Sequence, residues 1–366
     1  MKVGILTFHA SHNYGSMLQA YALQQTVLKL GHECEIINLR TAVQKSMYKP
    51  FYRQKGWVKK LKAIRYPKLA IDDARKHKLF EKFLEERLIL TPVEYHTAEE
   101  LKQAHLDFDA YISGSDQIWN TICFDYISSY YLDFVKSGKR IAYAPSMGPI
   151  PEKQIEKCFF SFIKDSISHY DAVSVREEGT AETLKKIVGK DFETVVDPTL
   201  LINSSQWSDL AGNKPIIDGD YIFLYTPWVD ENKELYDYAA KLASQSGLKV
   251  ISTLNQGIRR WGKNKGFNYH LATGPIEFLN LLKYARFVLS ASFHAVVFSI
   301  IFGKTFYAYK GMEDSRISSL LKIVSLEQTA DVNKWKNLVC DNNKANISLC
   351  PYISKSLQYL KNALNG

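Results

Sequence analysis

Cysteine is scarce and scattered: Cys34, Cys123, Cys158, Cys340 and Cys350 form an odd set with no C-x-x-C pair, which argues against a disulfide framework or a structural zinc site. Long apolar runs are missing as well. No stretch approaches the roughly 18 consecutive apolar residues of a membrane span, and Met1 to Phe8 is too short for a signal peptide and reads as a first strand. A cytoplasmic protein is expected, with peripheral attachment to the inner face of the membrane left open. The chain has no P-loop, no G-x-S-x-G and no G-x-G-x-x-G, so nucleotide-triphosphate and nicotinamide chemistry lack a signature. No His, Cys and carboxylate cluster has metal-ligand spacing, so neither a metal nor a cofactor is expected. Internal repeats and low-complexity tracts are absent.

What is present is a chain of 366 residues, 46% hydrophobic and 13% aromatic, long enough and apolar enough for two cores. Its net charge of +9 is unevenly placed. Between Lys45 and Lys68 there are nine bases and no acid, interleaved with Tyr48, Phe51, Tyr52, Trp57 and Tyr66. Bases mixed with interfacial aromatics suit an anionic membrane surface, or a diphosphate-linked substrate held at one. The plain alternative is a solvated basic face. Nucleic-acid binding is not expected, because no groove-reading or base-stacking module is visible.

Apolar strand-like runs alternate with amphipathic helical stretches through both halves, the pattern of parallel α/β layers. Strands are expected at Val3 to Phe8, Glu35 to Leu39, Ala110 to Ser113, Arg140 to Tyr143, Ala172 to Val175 and Thr194 to Val196. Helices are expected near Ser16 to Leu30, stopped by Gly31, and near Ile71 to Arg87. A second series runs through Tyr221 to Tyr225, the helix Lys233 to Ser246, Lys249 to Thr253, the helix Pro275 to Tyr284, Phe287 to Leu289 and Thr305 to Ala308. This divides the chain into an N-terminal Rossmann-like domain over 1–205, with a basic aromatic insertion at 41–90, and a C-terminal Rossmann-like domain over 220–350. The stretch 203–220 reads as their connection, and the pattern leaves open whether a last helix over 353–366 returns to the first domain. Two such domains facing across a cleft give a GT-B-like α/β architecture, with ligands at the carboxyl ends of the strands.

The most informative local feature is Ser292-Phe293-His294-Ala295, between Phe287-Val288-Leu289 and an apolar helix that ends at Gly303-Lys304. A strand that breaks into small polar residues and restarts as a helix aims backbone N–H groups, a hydroxyl and an imidazole at one spot, where anions bind. The plain alternative for His294 is a satisfied histidine at a buried helix start. Further post-strand motifs are Asn13-Tyr14-Gly15-Ser16 through Gln24, Ser113-Gly114-Ser115-Asp116-Gln117-Ile118-Trp119-Asn120, Ala144-Pro145-Ser146-Met147-Gly148, Ser174-Val175-Arg176-Glu177, Asp197-Pro198-Thr199-Leu200-Leu201 and Ser315-Arg316-Ile317. In this order they resemble the polysaccharide pyruvyl transferase family, from residue 1 to about residue 325.

The resemblance implies transfer of the enolpyruvyl-derived group of phosphoenolpyruvate, a co-substrate, onto two hydroxyls of a sugar, giving a cyclic ketal and phosphate in surface polysaccharide synthesis. The donor carries a phosphate and a carboxylate, which the planar fork of arginine matches. Arg176, Ser146, Ser292, His294 and Arg316 are the donor-site candidates that follow, with Lys304 and Lys310 as further sources of charge. His294 is also the candidate general acid. Many members carry Arg-Leu-His where this chain has Ser292-Phe293-His294, so one cation expected of the family is missing. The acceptor-site candidates are His12, Asn13, Tyr14, Gln19, Gln117, Trp119 and Asn120, with Asp116 as general base and Trp119 as a stacking surface. Helix capping by Asn13, a capping Asp116 and a core Trp119 are the plain alternatives. The basic segment adds the reading that the sugar is linked to a polyprenyl diphosphate at the membrane. A GT-B nucleotide-sugar glycosyltransferase and a catalytically silent carbohydrate-binding protein stay open as alternative functions.

Overall fold

The computed structural model describes residues 1–47, 64, 67–123, 125–148, 158–227, 232–253, 267–338 and 340–366. Most of the basic segment 45–68, and with it the membrane-surface reading, falls outside them. The chain groups into two units: Met1–Lys49, Leu84–Ile202 and Cys350–Gly366 form the first, Pro50–Phe83 and Asn203–Leu349 the second.

In chain order the first half contributes β1 (Lys2–Leu6), α1 (Tyr14–Lys29), β2 (Glu33–Ile36), α2 (Ala42–Met47), α3 (Pro67–Arg87), α4 (Ala98–Gln103), β3 (Ala110–Ser113), β4 (Lys139–Ala142), α5 (Cys158–Ser168), β5 (Ala172–Val175), α6 (Glu178–Val188) and β6 (Glu193–Thr194). The six strands form one parallel sheet in the order β2-β1-β3-β4-β5-β6. The central strand β3 is buried at every position, as expected of a parallel sheet covered on both faces, while β2, β4 and β6 carry charged residues at half-buried or exposed positions. Asn13 starts α1 by accepting from the backbone N–H groups of Gly15 and Ser16, and Gly31, at φ 89°, follows its end.

The second half adds α7 (Ser204–Ala211), β7 (Tyr221–Tyr225), α8 (Lys233–Ser246), β8 (Lys249–Ser252), β9 (Phe267–Tyr269), α9 (Pro275–Tyr284), β10 (Phe287–Ser290), α10 (Phe293–Ile301), β11 (Thr305–Ala308), α11 (Ser315–Ile323) and α12 (Asn342–Asn365). Its five strands form a second parallel sheet, in the order β11-β10-β7-β8-β9. The mixed α/β fold with two parallel sheets thus matches the alternating pattern of the sequence.

Three local expectations need correction. The stretch 203–220 is more than a connection. Asn203 caps α7, and α7 is locked into the second unit by Asn280, which donates to Ala211 O at 2.8 Å, and by Lys283 Nζ, which donates to Ser208 O at 3.1 Å and Gly212 O at 2.9 Å. The last helix begins at Asn342, earlier than the expected 353, and runs through Pro351. Of the insertion, the described residues 67–83 group with the second unit, whereas the sequence pattern assigns the whole of 41–90 to the first.

The end of α12 belongs to the first unit. Tyr359 OH donates to Ala142 O at 2.9 Å, Val196 N to Ser356 Oγ at 2.9 Å, and Lys139 Nζ to Leu364 O at 3.1 Å. These bonds hold the edge of the sheet at β4 to β6.

The loop after β3 is folded hard against the loop after β4. Gly114 has φ 137°, and a Cβ there would stand 1.9 Å from the carbonyl oxygen of Tyr143, a backbone atom that cannot step aside. Gly114→Ala is therefore expected to cost about 2 to 4 kcal/mol through strain and displacement of the loop. Urea unfolding checks this, and a loss below about 0.5 kcal/mol would show that the loop yields.

Candidate functional site

In a parallel sheet, ligands gather at the carboxyl ends of the strands where successive connections leave in opposite directions. In the first unit that point lies between β1 and β3, since β1 connects to β2 on one side while β3 lies on the other. The loops that follow these strands carry His9 to Asn13 and Gly114 to Asn120. In the second unit it lies between β7 and β10, whose ends carry Thr226 and Ser290 to His294.

The first-unit loops are knitted together by polar side chains. Gln19 donates to Thr7 Oγ1 at 2.9 Å and Ser16 O at 2.8 Å, and accepts from Ser115 N at 3.1 Å. Thr7 Oγ1 donates to Ser115 O at 3.0 Å. Fully buried and committed on both ends, Gln19 is a strut between α1 and the post-β3 loop, which corrects its assignment to the acceptor. Trp119 is corrected likewise. Its ring is fully buried, stacked on Tyr131 at 4.8 Å with the planes 5° apart, and its Nε1 donates to Tyr130 O at 3.2 Å, so no face is offered to a sugar. Asn120 is buried and bonded to Gln117 Oε1 and Ile122 N. Asn13 spends its side-chain oxygen on the α1 cap. His12 is half-buried, Tyr14 is buried in the first turn of α1, and Gln117 is half-buried.

At the centre of the unit lies Arg176. Its guanidinium meets Asp197 Oδ2 at 3.1 Å, Glu177 Oε2 at 3.2 Å and Asp116 Oδ1 at 3.6 Å, with the arginine side chain 2% exposed. The carboxylates are held in turn: Ser16 Oγ donates to Asp116 Oδ2 at 2.5 Å, Ser146 Oγ to Glu177 Oε1 at 2.7 Å, Thr180 Oγ1 to the same oxygen, and Thr199 Oγ1 to Asp197 Oδ1 at 2.7 Å. Burial opposes the charge of Arg176, but Glu177, Asp197 and Asp116 outweigh it and raise the guanidinium above its ordinary value. Arg176 is therefore engaged with three carboxylates of its own chain through Nε and Nη1. Ser146 is engaged with Glu177 and accepts from Gly148 N at 2.9 Å. Asp116 and Ala144 adopt left-handed backbone at φ 72° and 53°, a conformation that non-glycine residues hold only where surroundings enforce it.

Sequence reasoning missed two carboxylates. Glu177 and Asp197 appear in the motifs, but no local signal shows that both converge on one arginine. Asp125, buried in the loop beyond Asn120, is pushed up to about 6 by burial, partly countered by a hydrogen bond from Gln44 and reinforced by Asp116. His9 is driven the other way: burial lowers it and favours the neutral ring, with Nε2 3.1 Å from Asn38 Oδ1.

In the second unit, Ser290 Oγ donates to Tyr225 O at 2.5 Å and accepts from Ser292 N at 3.0 Å, which ties the ends of β7 and β10 together. Ser292 is the N-cap of α10, its side chain making no cap hydrogen bond, and His294 sits in the first turn, 8% exposed and edge-on to Phe293. Asn232 donates to Thr226 Oγ1 at 2.7 Å beside them at the end of β7. Arg316, at the start of α11, is clamped by Asp314 through Nε at 2.9 Å and Nη2 at 2.5 Å. Lys304 stands at the start of β11, the opposite edge of the sheet, and its Nζ donates to Lys283 O at 2.9 Å, which removes it from the candidate site. This arrangement presents a helix N-terminus, a hydroxyl and an imidazole at a switch point, a setting for an anion and for proton transfer.

Two substitutions test the first-unit network. Arg176→Met leaves three buried carboxylates without their cation, and a loss of about 3 to 5 kcal/mol is expected on chemical unfolding. Asp125→Asn should act with the opposite sign and with pH dependence. Because the folded protein holds the Asp125 proton more tightly than the unfolded chain, this group costs stability as pH rises from about 4 through about 6. The variant should match the wild type near pH 4 and exceed it by about 3 kcal/mol at pH 7.5, the size set by the displacement from 3.8 to about 6. A difference independent of pH would show that Asp125 titrates ordinarily.

The family model of polysaccharide pyruvyl transferases matches residues 13–310. No curated protein sequence matches. Among solved structures, a co-structure of S. aureus MnaA with UDP is similar over 100% of this chain and 96% of its own, with a TM-score of 0.55 at 10% identity. UDP-GlcNAc 2-epimerase from Methanocaldococcus jannaschii is similar over 98% of this chain and 100% of its own, with a TM-score of 0.53 at 10% identity. An α-glucosyltransferase in complex with UDP and a 13-mer DNA covers 98% and 95%, with a TM-score of 0.51 at 11% identity. At these identities the likeness is one of fold, and it places the chain among GT-B-like structures. With the match spanning most of its length, including the Ser292-Phe293-His294 turn and the Arg176 network, the chain belongs to the polysaccharide pyruvyl transferase family.

Proposed function

We propose that the protein transfers the enolpyruvyl-derived group of phosphoenolpyruvate to two hydroxyls of a sugar. The observation that carries this reading is the position of His294 in the first turn of α10, at the switch point of the second sheet. The N–H groups of that turn and the positive end of the helix favour the donor's phosphate or carboxylate. His294 delivers a proton to the donor's methylene carbon, which becomes the methyl group. One sugar hydroxyl then bonds to the adjacent carbon and gives up its proton. Breaking the carbon–oxygen bond to phosphate lets the second hydroxyl close the ketal, and phosphate leaves with the remaining proton. The two hydroxyl protons thus account for the new methyl hydrogen and the proton on phosphate.

The acceptor belongs with the first-unit loops that carry His12, Tyr14 and Gln117. The acid-free basic stretch supports an acceptor linked to a polyprenyl diphosphate at an anionic, cytoplasmic membrane face; among the described residues no helix is long and apolar enough to cross a membrane.

Phosphate release from phosphoenolpyruvate, measured with a panel of soluble and lipid-linked sugars, tests the reading. Release should depend on the acceptor, and His294→Ala should lower it by about 10²-fold or more with the melting temperature kept. Thermal stabilisation by a nucleotide sugar, with none by phosphoenolpyruvate, would instead point to glycosyl transfer.

A further inference from the structure

One cavity lies away from both switch points. It is a groove of about 630 Å³ in the first unit, where the later turns of α12 run past the amino ends of β4, β5 and β6. The loops with Ser146, Arg176 and Asp197 leave the opposite, carboxyl ends of those strands. Ligand pockets commonly enclose about 300 to 1,000 Å³, so the groove is of ligand size.

Its lining is polar and balanced in charge: Lys139 and Lys355 are offset by Asp171 and Glu193. Lys355 Nζ lies 3.4 Å from Glu193 Oε1, with the side chains 54% and 38% exposed, a pair that water already weakens and an incoming hydroxyl can open. Asp171 Oδ2 accepts from Arg140 N at 2.7 Å, and Lys139 Nζ donates to Leu364 O at 3.1 Å. Those bonds engage one carboxylate oxygen and one ammonium hydrogen, which leaves each group capacity for a ligand. Gln358 Nε2 donates to Asn362 Oδ1 at 2.7 Å along α12, so the Gln358 carbonyl oxygen and the Asn362 amide hydrogens can meet hydroxyls. Tyr359 adds apolar surface beside Ala172 and Ala363, and its ring is fixed because its hydroxyl donates to Ala142 O at 2.9 Å.

The geometry points to a second saccharide site, in which this groove holds a sugar residue of the polysaccharide other than the one being modified. Two cations against two carboxylates give no net attraction for an ion. Donors and acceptors interleaved around an aromatic ring and two alanine methyl groups match a pyranose, whose hydroxyls both donate and accept and whose C–H face is apolar. A site at the far ends of the strands adds affinity for a linked chain of sugars without touching the reacting groups. It follows from the family to which the chain belongs and does not depend on the identity of the donor.

Titration calorimetry and saturation-transfer NMR on the full chain test it, with maltotriose and N,N′-diacetylchitobiose as probes and inorganic phosphate as the ionic control. At least one saccharide should bind with a dissociation constant of about 1 mM or below, and phosphate should not compete with it. Gln358→Ala combined with Asn362→Ala changes two exposed positions of α12 toward a better helix former, so the melting temperature should be kept while saccharide binding weakens about tenfold. Glu193→Gln, which removes one charge at constant shape, should leave phosphate unbound. Unchanged saccharide binding in the double variant would put the sugar elsewhere and overturn the inference, as would failure of both saccharides to bind the wild type. Phosphate that binds, and binds more tightly in Glu193→Gln, would make the groove an anion site instead.

Discussion

The first unit depends on one buried guanidinium. Arg176 is reached by Asp116 from the loop after β3, by Glu177 at the head of α6 and by Asp197 from the turn after β6. Asp116 also receives the hydroxyl of Ser16 from α1. Four loops at the carboxyl edge of the sheet are therefore registered through a single side chain. The desolvation of such a cluster costs several kcal/mol per ion, and only close geometry with further hydrogen bonds offsets it. Those bonds are present at every carboxylate. The left-handed backbone of Asp116 and Ala144 costs on the order of 1 to 3 kcal/mol each, and it is held because the network would lose more by letting either loop relax.

How much of this could be read from sequence depends on whether the deciding interaction is local. The helix at Lys233–Ser246 and the strand at Ala110–Ser113 are visible in periodicity alone, since apolar spacing over a dozen residues records which face is buried. The helix α7 was hidden because its fate is decided by Asn280 and Lys283, some 70 residues later. Trp119 reads as a sugar platform because Ser113 to Asn120 has carbohydrate-type side chains, yet Tyr131 and Tyr170 close over its ring. Nothing in those eight residues states which way the tryptophan faces. Arg176 shows the same limit: its partner Glu177 is adjacent, while Asp197 and Asp116 are 21 and 60 residues away and a linear motif cannot report their convergence.

The two units repeat one design with different polar endings. In each, a central strand sends its connection to one side while the next strand lies on the other, and a helix starts at the resulting gap. In the first unit the helix start is already satisfied, because Asn13 caps it and Ser16 is taken by Asp116. In the second, Ser292 caps α10 without a side-chain bond, and an imidazole follows two residues on. A helix N-terminus whose side chains leave the first turn open favours an incoming anion; one that is capped and faces a carboxylate does not.

Fixed charge separates the two switch points as well, independently of the helix caps. The Arg176 cluster gathers three carboxylates about one cation, and Asp125 stands close enough to interact with Asp116. A donor with a phosphate and a carboxylate would meet an excess of like charge there: two unit charges 7 Å apart repel by about 2 kcal/mol at an effective dielectric constant near 20. A sugar is neutral and escapes that penalty, and carboxylates at the edge of the cluster suit its hydroxyl donors. At the second switch point, the cluster of carboxylates is replaced by a helix N-terminus. The sign of the fixed charge thus differs between the two switch points, negative at the first and the positive end of a helix at the second, a difference that would hold even if the histidine were silent.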